Sequence, residues 1–203
     1  MNPTVRACLF VILLSSILLP LSSHASSLPD TITYCGIQLY PNDSAKKILQ
    51  EEITKIQRGK KYFDRMVDRA QKYFPFIEAA FHKHGVPLDL KYLAIQESSL
   101  KPNAVSTSNA VGFWLFKAPT AKEVGLTINE EIDERRHIYR SSEGAAIYLS
   151  KANFDFTNWI YAVISYYEGP TGAIPYTNSE YYALKKMKID ENLHWYALKA
   201  IAH

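Results

Sequence analysis

The fold class this sequence predicts is all-α, and three observations predict it. Apolar residues recur at spacings of three and four along most of the chain, the period of a helix with one buried face. Strand-like alternation is confined to one stretch, Thr31 to Tyr40. No internal repeat, low-complexity tract or long Gly/Ser/Pro linker interrupts the pattern.

Taken in order, the first segment reads as a leader rather than a structural element. Residues 1–25 carry Arg6, an apolar run from Ala7 to Leu21 and the small-x-small signal Ser23-His24-Ala25. That run falls short of the ~20 residues a spanning helix prefers, and Ser15, Ser16 and Pro20 interrupt it, so cleavage is favoured over a permanent anchor. Cys8 lies too early to be a lipid-attachment cysteine. The expectation is export to a periplasmic or secreted location, with membrane association if the leader is retained. Residues 26–203 then suffice for one core, with 26–74 as a helical extension packed on a domain spanning 75–203. Cys35 is the one cysteine after cleavage, so it is either buried or paired between chains.

Asp43 or Ser44 can cap a first helix carrying Ile48, Leu49, Ile53 and Ile56, with Gly59 near its end. Tyr62, Phe63, Met66, Val67 and Ala70 continue the period, and Pro75 suits the start of a further helix through Phe81. Gly85 suits that helix's end. Pro87 opens the next, whose apolar stripe is Leu90, Leu93 and Ala94. Ser141 or Ser142 begins the helix holding Ala145, Ala146 and Leu149. Asn158 caps Trp159 to Tyr166, which Gly169-Pro170 stops, and two short helices follow Ser179 and Asp190.

Glu97 is the residue out of place in this pattern. It lies three residues after Ala94 and four after Leu93, on the stripe that the fold buries. Burial disfavours its charged form, and so does the negative end of its helix. Both raise the pKa toward that of a general acid working near neutral pH. An ordinary half-buried glutamate, bonded to backbone or paired with Lys or Arg, fits the same pattern.

Other chemistries find little support. His82 and His84 are two apart and point in different directions on a helix, and no H-E-x-x-H motif or cysteine cluster is present, so a metal site is not expected. No G-x-S-x-G elbow or phosphate-cradling glycine loop occurs. A net charge of +3 argues against a nucleic-acid scaffold but suits weak attraction to an anionic polymer. Aromatic residues make up 13% of the chain, fourteen of them Tyr, a composition suited to sugar-binding grooves. Trp114, Tyr139, Tyr166 and Tyr167 are candidates for such a groove, with core packing the better reading for Trp114.

The motifs after Glu97 point further. Glu97-Ser98 is followed by Gly112-Phe113-Trp114-Leu115-Phe116, then Thr120-Ala121 and Gly125-Leu126. Asp133-Glu134-Arg135-Arg136, Ala145-Ala146-x-Tyr148-Leu149 and Ser165-Tyr166-Tyr167-Glu168-Gly169 come next, in that order. This succession resembles the lytic transglycosylases with a goose-lysozyme-like (SLT) domain, and most of all the membrane-bound murein transglycosylase D group.

The resemblance implies a lysozyme-like helical domain that cleaves the β-1,4 bond between N-acetylmuramic acid and N-acetylglucosamine in peptidoglycan. It makes Glu97 the catalytic acid and then base, with a 1,6-anhydro end as product and no metal or organic cofactor. It makes Ser98 a ligand-contacting hydroxyl and gives the Tyr166 hydroxyl the task of holding Glu97. Gly112, Trp114, Leu115, Phe116 and Tyr167 complete its substrate-binding set. Peptidoglycan glycan strands and cell-wall machinery are the partners it implies. Two positions depart from the family pattern: Leu115 replaces a Gln and Tyr167 an Asn, both polar groups lining the family's sugar site. Losing them weakens polar recognition. That leaves open a weakened enzyme, a peptidoglycan-binding scaffold on the same fold, or a hydrolytic muramidase. The Asp133 to Arg136 run reads as an ion-pair network.

Overall fold

The extended stretch forms a hairpin. In the computed structural model, which describes residues 28–203 and so leaves the expected leader outside, β1 (Ile32–Tyr34) pairs antiparallel with β2 (Ile37–Pro41). Cys35 and Gly36 make the turn, both at positive φ, the conformation that matches the twist of a two-residue hairpin. Cys35 is buried and its backbone N–H donates to Asp89 Oδ2 at 3.1 Å. A third strand escaped the sequence reading: β3 (Lys186–Ile189) lies parallel to β2, with Leu39 opposite Met187. Its alternation is real, Met187 and Ile189 inward and the lysines outward, but four residues are too few to stand out.

The other regular elements are helices. In α1 (Asp43–Gln57) the cap is Asn42, one residue before the expected pair, its Oδ1 accepting from Ala45 N–H at 2.7 Å. Helix α2 (Lys60–His84) corrects the expected start at Pro75, because it runs straight through that proline. The missing N–H costs one hydrogen bond, while the stripe Met66, Ile77, Ala80, Phe81 is buried along one face. Gly85 ends it in the left-handed conformation, as read.

Beyond a 3-10 segment (Leu88–Tyr92) come α3 (Leu93–Ser98) and α4 (Ala118–Glu123), then the long helices α5 (Ile138–Phe156) and α6 (Trp159–Ala173). Helix α5 starts earlier than Ser141, with His137 Nδ1 accepting from Arg140 N–H at 3.2 Å, so both serines sit buried inside it. Asn158 caps α6 as expected. Gly169 (φ 78°, ψ 164°) leaves the helical conformation, so the stretch from Trp159 stops at Gly169-Pro170 as expected, and a second short helical stretch follows at an angle to it as far as Ala173. The segment after Ser179 is a single 3-10 turn, and α7 (Trp195–Ala202) is the helix expected after Asp190.

Helix α5 packs between α2 and α6, and α7 packs on α1, α3 and α6. Phe81, Trp114, Leu149 and Tyr161 lie in the common core. The extension at the N-terminal side is thereby joined to the C-terminal side twice, through β2–β3 and through α1–α7. Among the described residues, no helix is long and apolar enough to cross a membrane.

Candidate active site

Glu97 sits in the last turn of α3, and the chain leaves that helix through two successive left-handed residues, Ser99 (φ 52°) and Leu100 (φ 57°). Neither is glycine, so the turn is strained and persists because its surroundings hold it. Leu100 is fully buried. From α2, Arg69 Nη1 donates to the Ser99 carbonyl at 2.7 Å, and the Tyr62 hydroxyl bonds to Ser99 Oγ. The acid therefore rests on a fixed support.

Ser98 is a correction to the expected ligand contact. It is buried, and its hydroxyl donates toward the carbonyls of Phe113 (2.7 Å) and Ala94 (3.1 Å) while accepting from Lys101 N–H at 3.2 Å. Its position ties the helix of Glu97 to the loop that follows Gly112.

That loop is a narrow turn. Val111 and Phe116 exchange backbone bonds of 3.0 and 3.2 Å across it, and Leu115 takes a left-handed φ of 47°. Gly112 (φ 87°) passes directly against the backbone of Arg135, where an added Cβ would stand 1.9 Å from the carbonyl oxygen. Arg135 is itself buried and forked onto Asp133, Nε to Oδ1 and Nη2 to Oδ2 both at 2.8 Å, with Nη1 on the Phe116 carbonyl at 3.2 Å. The charged run thus props the turn from behind. Trp114 is fully buried in the core, with Nε1 donating to Ser142 Oγ at 3.0 Å.

In front of the turn lies a cavity of about 620 Å³ lined by Glu97, Leu115, Phe116, Tyr148, Tyr166 and Tyr167. Ser106, Ser108, Lys117, Thr120 and Glu168 add polar groups to its wall. Of the residues singled out by sequence, Ser98, Gly112 and Trp114 stand behind this wall, and Tyr139 does not reach it. His82 is exposed and His84 half-buried, and the described residues hold no cluster of metal-ligating side chains.

The partner of the acid is not Tyr166. The Tyr166 hydroxyl donates to the Trp114 carbonyl at 2.8 Å, and Tyr196 Oη donates to Glu97 Oε1 at 2.5 Å. Tyr196, buried on α7, is the site residue that sequence reading missed. It lies 99 residues away, beyond every motif, on an apolar helix that marks it as core. Burial pushes the Glu97 carboxyl above the usual glutamate range, and this outweighs the Tyr196 hydrogen bond and the nearby Lys199 charge, which both pull it down. The Tyr196 O–H favours the ionised form, so Tyr196→Phe should raise the Glu97 pKa further. Carboxyl-carbon NMR of the labelled protein reads that titration directly, and a fall on substitution would contradict it.

A half-buried carboxyl whose pKa burial raises, at the wall of a cavity with aromatic and hydroxyl groups, is suited to donate a proton to an oxygen of a polar ligand. Residues 74–189 match the family model described as Transglycosylase SLT domain. The chain is also similar to the membrane-bound lytic murein transglycosylase D of Escherichia coli K12 and to its namesake in Escherichia coli O6:H1. In each case 30% of 141 residues are identical, covering 69% of this chain and 31% of the relative. The chain therefore spans about a third of the length of these curated relatives.

Proposed function

The chain belongs to the transglycosylase SLT domain family, and from that membership we propose that it cleaves the β-1,4 bond between N-acetylmuramic acid and N-acetylglucosamine in peptidoglycan, leaving a 1,6-anhydro end. The observation that carries the proposal is Glu97, a carboxyl with a raised pKa at the cavity wall, bonded to Tyr196. Protonated Glu97 donates to the glycosidic oxygen as the bond to the muramic C1 breaks, and the sugar's acetamido oxygen stabilises that carbon. The carboxylate then takes the proton of the C6 hydroxyl, whose oxygen bonds to C1 and closes the anhydro ring. The proton returns to Glu97, so one carboxyl serves as acid and base where two-carboxyl glycosidases divide the work.

Tyr196 holds the acid in this scheme. Phe116, Tyr166 and Tyr167 form the apolar wall, and Ser98, Gly112 and Trp114 act from behind it. Glu168, at the same wall, has Oε1 engaged by His194 at 3.0 Å, which does not favour it as a water-activating second carboxylate. Export is part of the proposal, with residues 1–25 as leader and the cell wall as the place of action. Digestion of purified sacculi with mass spectrometry of the products tests the whole reading. Anhydro ends are expected, and reducing ends would mean a hydrolase.

One observation favours a second reading, a wall-binding protein on this fold. Leu115 and Tyr167, the two positions that depart from the family pattern, both line the cavity. If they weaken an enzyme, Leu115→Gln combined with Tyr167→Asn should raise the rate of anhydro-product release over wild type, and the two changes should couple. Intact sacculi retained by an inactive wild-type protein, with no gain in the double variant, would favour the binding role.

A further inference from the structure

Three aromatic side chains stay half-exposed, Tyr167 within the active-site motifs at 53% and, outside them, Tyr176 at 47% and Trp195 at 52%. They are gathered around one buried side chain. The ring of His194 lies 4.5 Å from that of Tyr176, 5.9 Å from Tyr167 and 5.8 Å from Trp195, and Tyr167 meets Trp195 edge-on at 4.9 Å. His194 is 6% exposed and held at both nitrogens. Its Nδ1 accepts from Tyr196 N–H at 3.3 Å, so the ring proton sits on Nε2, which donates to Glu168 Oε1 at 3.0 Å. The exposed rings thus stand on a pinned support, with little side-chain freedom left to lose on binding.

The cluster is continuous with the cavity. Tyr167 lines the cavity wall and stacks on Tyr196 at 5.0 Å, and Tyr196 bonds to Glu97. Glu168 belongs to both. We propose that Tyr167, Tyr176 and Trp195 form a sugar-binding platform that extends the Glu97 cavity and holds the glycan strand beyond the bond to be cut. This rests on reading the cavity as a glycan site.

Size selects the occupant. Three half-exposed rings offer on the order of 300 Å², well short of the roughly 800 Å² per partner that a stable protein interface buries. They do match successive sugar rings, whose C–H faces lie on aromatic surfaces while the Tyr hydroxyls and the Trp N–H reach ring substituents. A platform of this kind also compensates for the polar contacts absent at Leu115 and Tyr167, since it supplies affinity along the strand.

Calorimetric titration of the full chain carrying Glu97→Gln, with β-1,4-linked N-acetylglucosamine dimer and hexamer, tests the platform. Adding Trp195→Ala should weaken hexamer binding about ten-fold, with about two-fold or less for the dimer, and Tyr176→Ala should act in the same direction. Because Tyr176 lies outside α7, its variant keeps the test open if Trp195→Ala disturbs that helix. Hexamer affinity unaltered in both folded variants, or an equal loss for dimer and hexamer, overturns the platform while sacculus cleavage by wild type leaves the active-site reading standing. Absence of any oligomer binding together with absence of anhydro products overturns both.

Discussion

Glu97→Gln is expected to lower the release of anhydro ends from sacculi by about a thousand-fold, the size of effect associated with a single acid–base group. The amide still accepts the Tyr196 hydrogen bond and fills the same volume, so binding of the glycan should survive. Stability supplies a second readout with a definite sign. The raised carboxyl pKa means that the native state keeps its proton over a pH range where the unfolded chain has released it. Wild-type stability therefore falls as pH rises across that range, and above it the protein carries the cost of a half-buried charge. Glutamine has no such titration. Thermal melts should show the variant as stable as wild type or more so above the Glu97 pKa, with a flatter pH dependence. Full activity in Glu97→Gln would end the single-acid assignment.

Gly112→Ala should produce the largest loss of stability of any conservative change near the site. The new methyl would stand 1.9 Å from the Arg135 carbonyl oxygen and 2.5 Å from its carbon, at a backbone angle that side chains avoid. Arg135 cannot retreat without opening its fork on Asp133 and its bond to the Phe116 carbonyl. A cost of about 4 kcal/mol is the scale for such a clash, which for a chain of this length lowers Tm by on the order of 10 °C. Differential scanning calorimetry measures it. A Tm within about 2 °C of wild type would mean that the turn yields easily.

The helices and the acid were legible because their signals are local. Glu97 breaks a stripe defined by its immediate neighbours, and Asn158 and Gly85 mark helix ends by chemistry of their own. The environment of the acid was not legible, because it is assembled from a distance. Nothing near Tyr196 says that its hydroxyl meets Glu97, since a tyrosine on an apolar helix looks like core in any sequence. The resemblance assigns that bond to Tyr166, whose hydroxyl goes instead to the Trp114 carbonyl. Ser98 shows the converse: adjacent to the acid, it faces the protein because α3 turns its hydroxyl onto Phe113. Pro75 misled because a proline's local cost is small against a buried stripe that continues on both sides of it.

The pairing of β2 with β3 has a consequence in time. Residues 37–41 wait for residues 186–189, and Glu97 waits for Tyr196, so the contacts that complete the site join segments far apart in the chain. Contacts of this range are the slow ones in folding, since the loop between them must close before they return any stabilisation. A chain emerging from its N-terminal side builds α1, α2 and the helix of the acid well before α7 exists. Glu97 then stands without the hydroxyl that orients it, and His194 and its aromatic surround are absent as well. The candidate site is therefore completed only once contacts between distant segments have formed, and a nascent or partly folded copy lacks its full geometry.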